Sequence, residues 1–333
     1  MQRRQFMGYA AAALAAGVCG GPSSPAFAGD ARHAAKQAAK SAKPLDAAQY
    51  HASRRFAKTR FGEIAYIERG SGPAVLFLHG LPLNSFQWRG AIDRLAPHRR
   101  CIAPDFMGMG YTRVAEGQSV APSAQTDMLA ALLDRLKIGE VDLISNDSGD
   151  AVAQLFVARY PKRVRSLLLT NGDEERNCPP EVVKSSIAEA REGKSTDQFV
   201  IWLADKPSNR AAKGIGGQAF ADPANFTDEA VEYYFRPLVS SARSKALFDA
   251  FLVGLLPNPL EGIGPALKRF QGPVRIVWGT ADTIFLPENP DRLDRAFGNS
   301  RGVRRLPGYK LFWPEERPDV IAEEALALWG ISG

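Results

Sequence analysis

The chain has 333 residues, of which 45% are hydrophobic and 23% charged, and its formal net charge is +6. These proportions are ordinary for a globular enzyme, and three cysteines are too few for a disulfide framework. Eight of the basic residues lie between positions 29 and 60, and the rest of the chain beyond them is slightly acidic. The composition therefore excludes a basic nucleic-acid-binding face on the folded domain.

The N-terminus has the pattern of an export signal. Arg3 and Arg4 precede an apolar, alanine-rich stretch from Gly8 to Val18, and Ala26-Phe27-Ala28 has the small-x-small form of a signal-peptidase site. This arrangement resembles a twin-arginine signal and predicts cleavage before Gly29, with a periplasmic or secreted mature protein. The alternative is an ordinary helix that begins with two arginines.

Strand-like and helical patterns alternate along most of the chain, which is typical of a mostly parallel sheet covered by helices on both faces. Eight runs have a strand pattern, and the first two predict an antiparallel hairpin that turns at Phe61-Gly62. The runs are Phe56–Arg60, Glu63–Glu68, Ala74–His79, Arg100–Asp105, Val141–Ser145, Val164–Thr170, Val274–Gly279 and Gly302–Leu306.

A segment of about a hundred residues interrupts this alternation. It is helical in pattern, rich in aromatic residues and has no strong strand run, and it is interrupted by prolines, among them Pro207, Pro223, Pro237, Pro257 and Pro259. Such an insertion between two strands predicts a lid over the carboxyl ends of the sheet, where ligands bind in open α/β folds. We therefore predict a signal peptide at 1–28, a flexible basic leader at 29–55, a core at 56–171 and 271–333, and a helical cap at 172–270.

The segment around Asp147 reads as a strand, a tight turn and a helix. A nucleophile on such a strained turn needs small residues two positions before and two positions after it. Ser145 and Gly149 meet this requirement for Asp147, whereas centring the turn one residue later would place an asparagine and an aspartate there. The pattern predicts Asp147 as the nucleophile. One departure is Asp150, which takes a place where a small residue is usual.

A second loop, His79-Gly80-Leu81-Pro82, follows the apolar strand that begins at Ala74. In this setting the turn after the strand supplies one backbone N–H to an oxyanion hole, and the residue after the nucleophile supplies the other. The donors are then the N–H groups of Leu81 and Ser148. We expect His79 to brace this loop by hydrogen bonding.

The order of these motifs resembles the α/β-hydrolase superfamily from about Phe56 to the C-terminus. The residues that carry the resemblance are His79-Gly80-Leu81-Pro82, Trp88-Arg89, Pro104 to Gly110, the elbow at Asp147, Trp278-Gly279-Thr280-Ala281-Asp282 and Pro307-Gly308. It implies a mostly parallel eight-stranded sheet with helices on both faces and an inserted helical cap. An aspartate at the elbow is similar to haloalkane dehalogenases and epoxide hydrolases.

The chemistry that this resemblance implies has two steps. A carboxylate attacks an electrophilic carbon to form an ester, and water activated by a histidine then hydrolyses the ester. Asp282 matches the acid that holds this histidine, with a loop-capping aspartate as the alternative. Leu311 stands at the position of the histidine itself, and none of the four histidines of the chain matches that position. Glu174, Glu315 and Glu316 remain candidates for the missing base.

The halide-binding features of the haloalkane dehalogenases are also missing, because Ser148 and Leu81 stand where many relatives have tryptophan and asparagine. Tyr233 and Tyr234 could protonate an opening oxygen, as the lid tyrosines of epoxide hydrolases do, with packing as the alternative. Trp88 and Trp202 are further candidates for substrate contact.

The prediction is an exported hydrolase that acts on a small, largely apolar substrate through Asp147 and a covalent ester. No cofactor or metal is implied, because there is no glycine-rich phosphate loop and histidines and cysteines are sparse. The expected partner is a small-molecule substrate, with no nucleic acid and no membrane anchor in the mature chain. The alternatives are another reaction such as that of a lyase, or ligand binding without turnover because Leu311 replaces the base.

Overall fold

The computed structural model describes residues 45–331, in which nine strands form one sheet. The predicted signal peptide and most of the predicted leader lie outside the described residues. The strands are β1 (Arg55–Thr59), β2 (Gly62–Arg69), β3 (Ala74–Leu78), β4 (Arg100–Pro104), β5 (Arg113–Val114), β6 (Val141–Asp147), β7 (Val164–Gly172), β8 (Val274–Gly279) and β9 (Ser300–Leu306).

The sheet is antiparallel at its beginning and parallel through the rest. Eight strands follow the order β1-β2-β4-β3-β6-β7-β8-β9. The β1–β2 and β2–β4 pairs are antiparallel, and every later pair on this path is parallel. The ninth strand, β5, pairs with β2 and was absent from the eight predicted strands, since two residues carry no periodic signal. Thr59 pairs with Gly62, so the first hairpin turns at Arg60-Phe61 rather than at Phe61-Gly62.

Helices cover the sheet and fill the whole interval between β7 and β8. Among the described residues, no helix is long and apolar enough to cross a membrane. The helices are α1 (Ala47–Ala52), α2 (Arg89–Leu95), α3 (Pro122–Arg135), α4 (Ser148–Arg159), α5 (Val183–Arg191), α6 (Asp197–Ala204), α7 (Ile215–Ala219), α8 (Asp228–Val239), α9 (Ala242–Val253), α10 (Gly264–Arg269), α11 (Asn289–Ala296), α12 (Trp313–Glu316) and α13 (Pro318–Leu328). Helices α5 to α10 make up the segment that the sequence predicts as a cap.

The central strands are buried on both faces, as a parallel sheet between two helical layers requires. In β3, Leu76 and Leu78 belong to one apolar core, while Val75 and Phe77 belong to a second. The first core extends into the cap helices, and the second includes residues of α2 and α13. Because the strands run parallel, their carboxyl ends share one edge, and the predicted site residues follow those ends.

The prediction of a flexible leader over residues 29–55 is wrong from Asp46 onward. Asp46 caps α1 in a capping box with Gln49, which satisfies the backbone N–H groups of both residues at the start of this short helix. Tyr50, which is 1% exposed, donates its hydroxyl hydrogen to the backbone oxygen of Ser85 at 2.7 Å. One buried aromatic side chain thus anchors a segment whose Ala/Lys-rich composition suggested a tail.

Candidate active site

Asp147 is the last residue of β6 and stands directly before α4, with a φ of 57°. A positive φ is uncommon for a residue other than glycine and marks a strained turn. A Cβ atom at Gly149 would lie 2.6 Å from the backbone oxygen of Leu78, and one at Gly80 would lie 2.5 Å from the Cβ atom of Asp147. Even the Cβ atom of alanine would clash at these two positions, so only glycine fits at Gly80 and Gly149 beside the elbow.

Two backbone N–H groups converge on one oxygen of the Asp147 carboxylate. The N–H of Leu81 donates to Oδ1 at 3.0 Å, and the N–H of Ser148 donates to the same atom. Since both donors hold Oδ1, a bond to carbon would form through the other oxygen, Oδ2. In the resulting ester Oδ1 would be the carbonyl oxygen, already placed between the donors that stabilise an oxyanion.

Burial is the main influence on the ionisation of Asp147, which is only 6% exposed. Burial raises its pKa to about 6, the N–H groups of Leu81 and Ser148 oppose this rise, and the carboxyl group of Asp282 adds to it. At neutral pH the group is still mostly ionised, which is the form needed for a nucleophile.

Asp282 follows the carboxyl end of β8 and is fixed by the chain around it. Its Oδ2 accepts a hydrogen bond from Nδ2 of Asn171 at 2.8 Å, and its Oδ1 accepts the N–H of Ile284 at 2.8 Å. Burial raises the pKa of this carboxyl group as well. Asn171 also accepts the Nε1–H of Trp313 at 3.0 Å and was not singled out by the sequence.

Leu311 contributes no titratable group to the site. It is 1% exposed, and its backbone oxygen accepts a hydrogen bond of 3.1 Å from Nδ2 of Asn146, the residue before Asp147. The loop that carries Leu311 is thus bound to the elbow, as the resemblance implies.

His79 has both ring nitrogens engaged and cannot serve as the base. Its Nε2 accepts the N–H of Phe106 at 2.9 Å, so Nδ1 carries the hydrogen and donates it to the oxygen of Gly80 at 2.9 Å. Burial lowers its pKa, which keeps the ring neutral. It braces the loop before Leu81, as predicted.

The two lid tyrosines both lie on α8 and have partners away from Asp147. The Tyr233 hydroxyl accepts a hydrogen bond from Nη2 of Arg54. The Tyr234 hydroxyl donates to Glu315 at 2.8 Å, and Glu315 also forms an ion pair of 2.7 Å with Arg89. These contacts favour packing over proton donation, and they remove Glu315 from the candidates for a base.

The other two candidate bases are also held in structural contacts. The carboxylate of Glu316 accepts the N–H groups of Ala221 and Asp222, each at 3.0 Å. Glu174 lies 3.6 Å from the guanidinium group of Arg292. Neither carboxylate is bonded to a residue of the elbow, so the expectation that one of them replaces the histidine has no support.

The two tryptophans predicted to contact substrate have different surroundings. Trp88 is 0% exposed and packs in the second core against Phe77, with ring centroids 5.6 Å apart. This prediction is wrong, because Trp88 belongs to the core on the other side of the sheet from Leu311. Trp202 lies in the cap against Phe199 and Phe235, at centroid distances of 5.9 and 5.7 Å.

Two further carboxyl groups lie next to the elbow. Asp150 accepts a hydrogen bond of 2.5 Å from the hydroxyl of Ser145, and the backbone N–H of Asp173 donates to the oxygen of Asp147 at 3.4 Å. Burial raises the pKa of both Asp150 and Asp173 well above the ordinary value. The sequence identified Asp150 only as a departure and did not identify Asp173, since burial cannot be read from residue type.

Residues 73–313 match the family model described as the alpha/beta hydrolase fold. The chain belongs to that family. A haloalkane dehalogenase of Mesorhizobium japonicum is 43% identical over 111 residues, which are 31% of this chain and 34% of that protein. Haloalkane dehalogenase 2 of Mycobacterium bovis is 24% identical over 288 residues, 84% of this chain and 95% of that protein. The structure of the epoxide hydrolase CorEH matches with a TM-score of 0.67 and 21% identity, covering 83% of this chain and 98% of that one.

These comparisons confirm the predicted fold and the prediction of a hydrolase, and both of the relatives named above bear the name haloalkane dehalogenase. The first match spans 34% of its relative, whereas the second spans 95% of its relative and 84% of this chain. The protein is therefore a hydrolase of the α/β type.

Proposed function

We propose that this hydrolase acts on a small, largely apolar electrophile through Asp147 and a covalent ester. The observation that carries the proposal is the convergence of the Leu81 and Ser148 N–H groups on Oδ1 of Asp147. A serine nucleophile would leave these donors free for the substrate, whereas here they hold the nucleophile itself. The names of the relatives, haloalkane dehalogenase and epoxide hydrolase, suggest an alkyl halide or an epoxide as the electrophile.

In the first step, Oδ2 of Asp147 donates an electron pair to the electrophilic carbon, and the electron pair of the broken bond goes to the halogen or oxygen atom. A halide ion departs, whereas the opened oxygen of an epoxide stays on the substrate and takes a proton from water. In the second step, water adds to Cγ of Asp147, and the negative charge that develops on Oδ1 is stabilised by the two N–H groups. Collapse of this intermediate breaks the bond between Cγ and Oδ2. One proton of the added water goes to the departing alcohol and the other to solvent, and the carboxylate is restored with the oxygen of water in it.

The second step lacks the histidine that usually activates water, and its place is taken by a buried leucine. Loss of a general base slows such a step by roughly 10²–10⁴. We therefore propose that ester hydrolysis is slower than ester formation. A second candidate function follows from Leu311: capture of a ligand as a long-lived ester without useful turnover.

The proposed place of action is the periplasm or the medium, on the basis of Arg3, Arg4 and Ala26-Phe27-Ala28. These residues lie outside the part of the chain that the structure describes. The acidic balance beyond residue 60 and the apolar cap give no reason to propose a nucleic-acid partner.

The test is the intact mass of the protein after incubation with separate panels of alkyl halides, epoxides and esters. The expected result is a mass increase located on Asp147 by peptide mapping, by the alkyl group for a halide and by the whole molecule for an epoxide, with slow release of the alcohol. Asp147→Asn should give no adduct. If no panel gives an adduct or a product, the proposal is contradicted. Rapid turnover would exclude the capture function.

A further inference from the structure

Two buried amide side chains lie between the loop that carries Leu81 (residues 79–82, the oxyanion loop) and the elbow at Asp147. The mechanism above does not use them. Gln87 is in a turn of 3-10 helix, Ser85–Trp88, and Asn146 is the residue before Asp147. Both are buried. Nε2 of Gln87 donates to Oδ1 of Asn146 at 2.6 Å. A buried amide pair of this kind is costly unless its remaining donors and acceptors are also bonded.

The Gln87 end of this pair holds the oxyanion loop. Its Oε1 accepts the N–H of Gly80 at 3.1 Å. The next N–H along the chain, that of Leu81, is the one that donates to Oδ1 of Asp147. Since a Cβ at Gly80 would meet the Cβ of Asp147 at 2.5 Å, the loop has little space in which to shift. The bond to Gln87 therefore fixes the direction of one peptide and, through it, the direction of the next.

The Asn146 end holds two other loops of the site. Nδ2 of Asn146 donates to the backbone oxygen of Leu311 at 3.1 Å and to that of Asn171 at 2.9 Å. Asn171 in turn bonds to Asp282. One chain of hydrogen bonds thus connects the oxyanion loop, the loop of Leu311 and the residue that orients Asp282.

We propose that Gln87 and Asn146 are positioning residues that set the oxyanion donor of Leu81 against Asp147. They touch neither the carboxylate nor a substrate and act through the backbone of Gly80 and Leu81. The chemical consequence, a faster breakdown of the ester, rests on the proposed function, whereas the effect on the ionisation of Asp147 does not. Precise placement matters because a donor that is displaced loses much of its stabilising effect in a buried site.

The experiment replaces Gln87 by methionine, which has a similar length and no amide. Carboxyl carbon NMR of protein labelled at aspartate Cγ follows the titration of Asp147, and intact mass follows the formation and breakdown of the adduct. Gln87→Met should raise the titration midpoint of Asp147, because the Leu81 N–H then stabilises the carboxylate less. It should also slow the breakdown of the ester by roughly tenfold, less than the loss of a whole oxyanion donor.

Gln125→Met is the matched control. Gln125 is also a buried glutamine that bridges backbone groups, since it accepts the N–H of Met107 at 2.9 Å and donates to the oxygens of Met107 and Val120. Its loss should lower stability without moving the titration of Asp147. The double variant Gln87→Met/Asn146→Leu should titrate like Gln87→Met, because both changes break one chain of bonds.

If Gln87→Met lowers the melting temperature as Gln125→Met does but leaves the titration of Asp147 and the rate of ester breakdown unchanged, the positioning role is overturned. Should Gln87→Met not fold, the shorter amide of Gln87→Asn, which cannot span the same gap, is measured in the same way. If no electrophile modifies the wild-type protein, the proposed function fails, and the NMR titration still decides the role of Gln87.

Discussion

The hydroxyl of Tyr234 donates a hydrogen bond of 2.8 Å to the carboxylate of Glu315, which also pairs with Arg89 at 2.7 Å. Tyr234 lies on α8 and Arg89 begins α2, so this buried contact joins the cap to the core. Burial raises the pKa of Glu315, and the guanidinium of Arg89 opposes the rise. The contact explains why neither Tyr234 nor Glu315 is free to exchange protons at Asp147.

Glu315→Gln should therefore destabilise the protein without a specific effect on ester hydrolysis. Removal of one charge of a buried pair leaves Arg89 uncompensated and should cost about 3 kcal/mol in urea unfolding. Glu232→Gln is the control, because Glu232 pairs with Arg236 near the surface and its loss should cost less than about 1 kcal/mol. A hundredfold slower ester breakdown in Glu315→Gln at unchanged ester formation would show that Glu315 is the base after all.

Adduct formation at Asp147 should increase with pH through the titration of its own carboxyl group. Burial raises that pKa to about 6, and only the ionised form has the electron pair for attack. Single-turnover rates between pH 4 and 9 should thus rise about tenfold per unit well below the midpoint and level off above it. A rate independent of pH across this range would mean that Asp147 is not the attacking group or is not shielded from water.

Asp147→Asn should stabilise the protein at high pH. The pKa of this carboxyl group is about 6 in the folded protein and 3.8 ordinarily, so the group favours folding below pH 3.8. This contribution to stability is lost as the pH rises through 6. Asparagine does not ionise, so the variant should be more stable by roughly 3 kcal/mol at pH 8, at about 1.4 kcal/mol per pKa unit. The difference should vanish near pH 3.5.

Asp319→Asn should change the stability at pH 8 in the opposite direction and serves as the comparison. Hydrogen bonding to Arg317 lowers the pKa of Asp319, so its ionised form favours folding and its loss should reduce stability at pH 8. Urea unfolding of both variants at three pH values tests the pair. Equal stability of Asp147→Asn and wild type at pH 8 would contradict the burial effect on Asp147.

The position of the elbow could be predicted because it depends only on residues that are close in the sequence. A strained turn needs small neighbours, and the register of Ser145 and Gly149 along the chain is enough to identify Asp147. Packing against distant residues was not predictable in this way. Trp88 follows the oxyanion loop in sequence, yet its ring packs in the opposite core. Tyr50 lies in a basic, alanine-rich context, and only the position of Ser85 in space shows that it is anchored.

The supporting amides were missed for a related reason. Gln87 and Asn146 are neutral polar residues with no motif of their own. Their role depends on the hydrogen bond between them, and they are 59 residues apart in the sequence. Asn171 lies at the carboxyl end of β7 and Asp173 directly follows that strand. Site residues are expected at such a strand end, and this signal would have identified both as candidates.

Export is a prediction that only an experiment on the living cell can test. Arg3→Lys with Arg4→Lys should retain the precursor in the cytoplasm, since the twin arginine is the feature that the pathway recognises. The wild-type mature protein should begin at Gly29 by N-terminal sequencing. A wild-type protein that is recovered from the cytoplasm with residues 1–28 intact would contradict both the signal and the cleavage site.

Leu311→His tests the missing base most directly. The oxygen of Leu311 is bonded to the residue before Asp147, so an imidazole at position 311 would enter the site from the loop that is already fixed there. Asp282, whose carboxylate is held by Asn171, would orient the ring. Ester breakdown should then accelerate, by about a hundredfold if the ring acts as a general base, while ester formation changes little. Single-turnover measurements separate the two steps, and Asp282→Asn in the same background should remove most of the gain. A wild-type protein that breaks the ester down rapidly, and is slowed by Leu311→His, would show that another residue activates water.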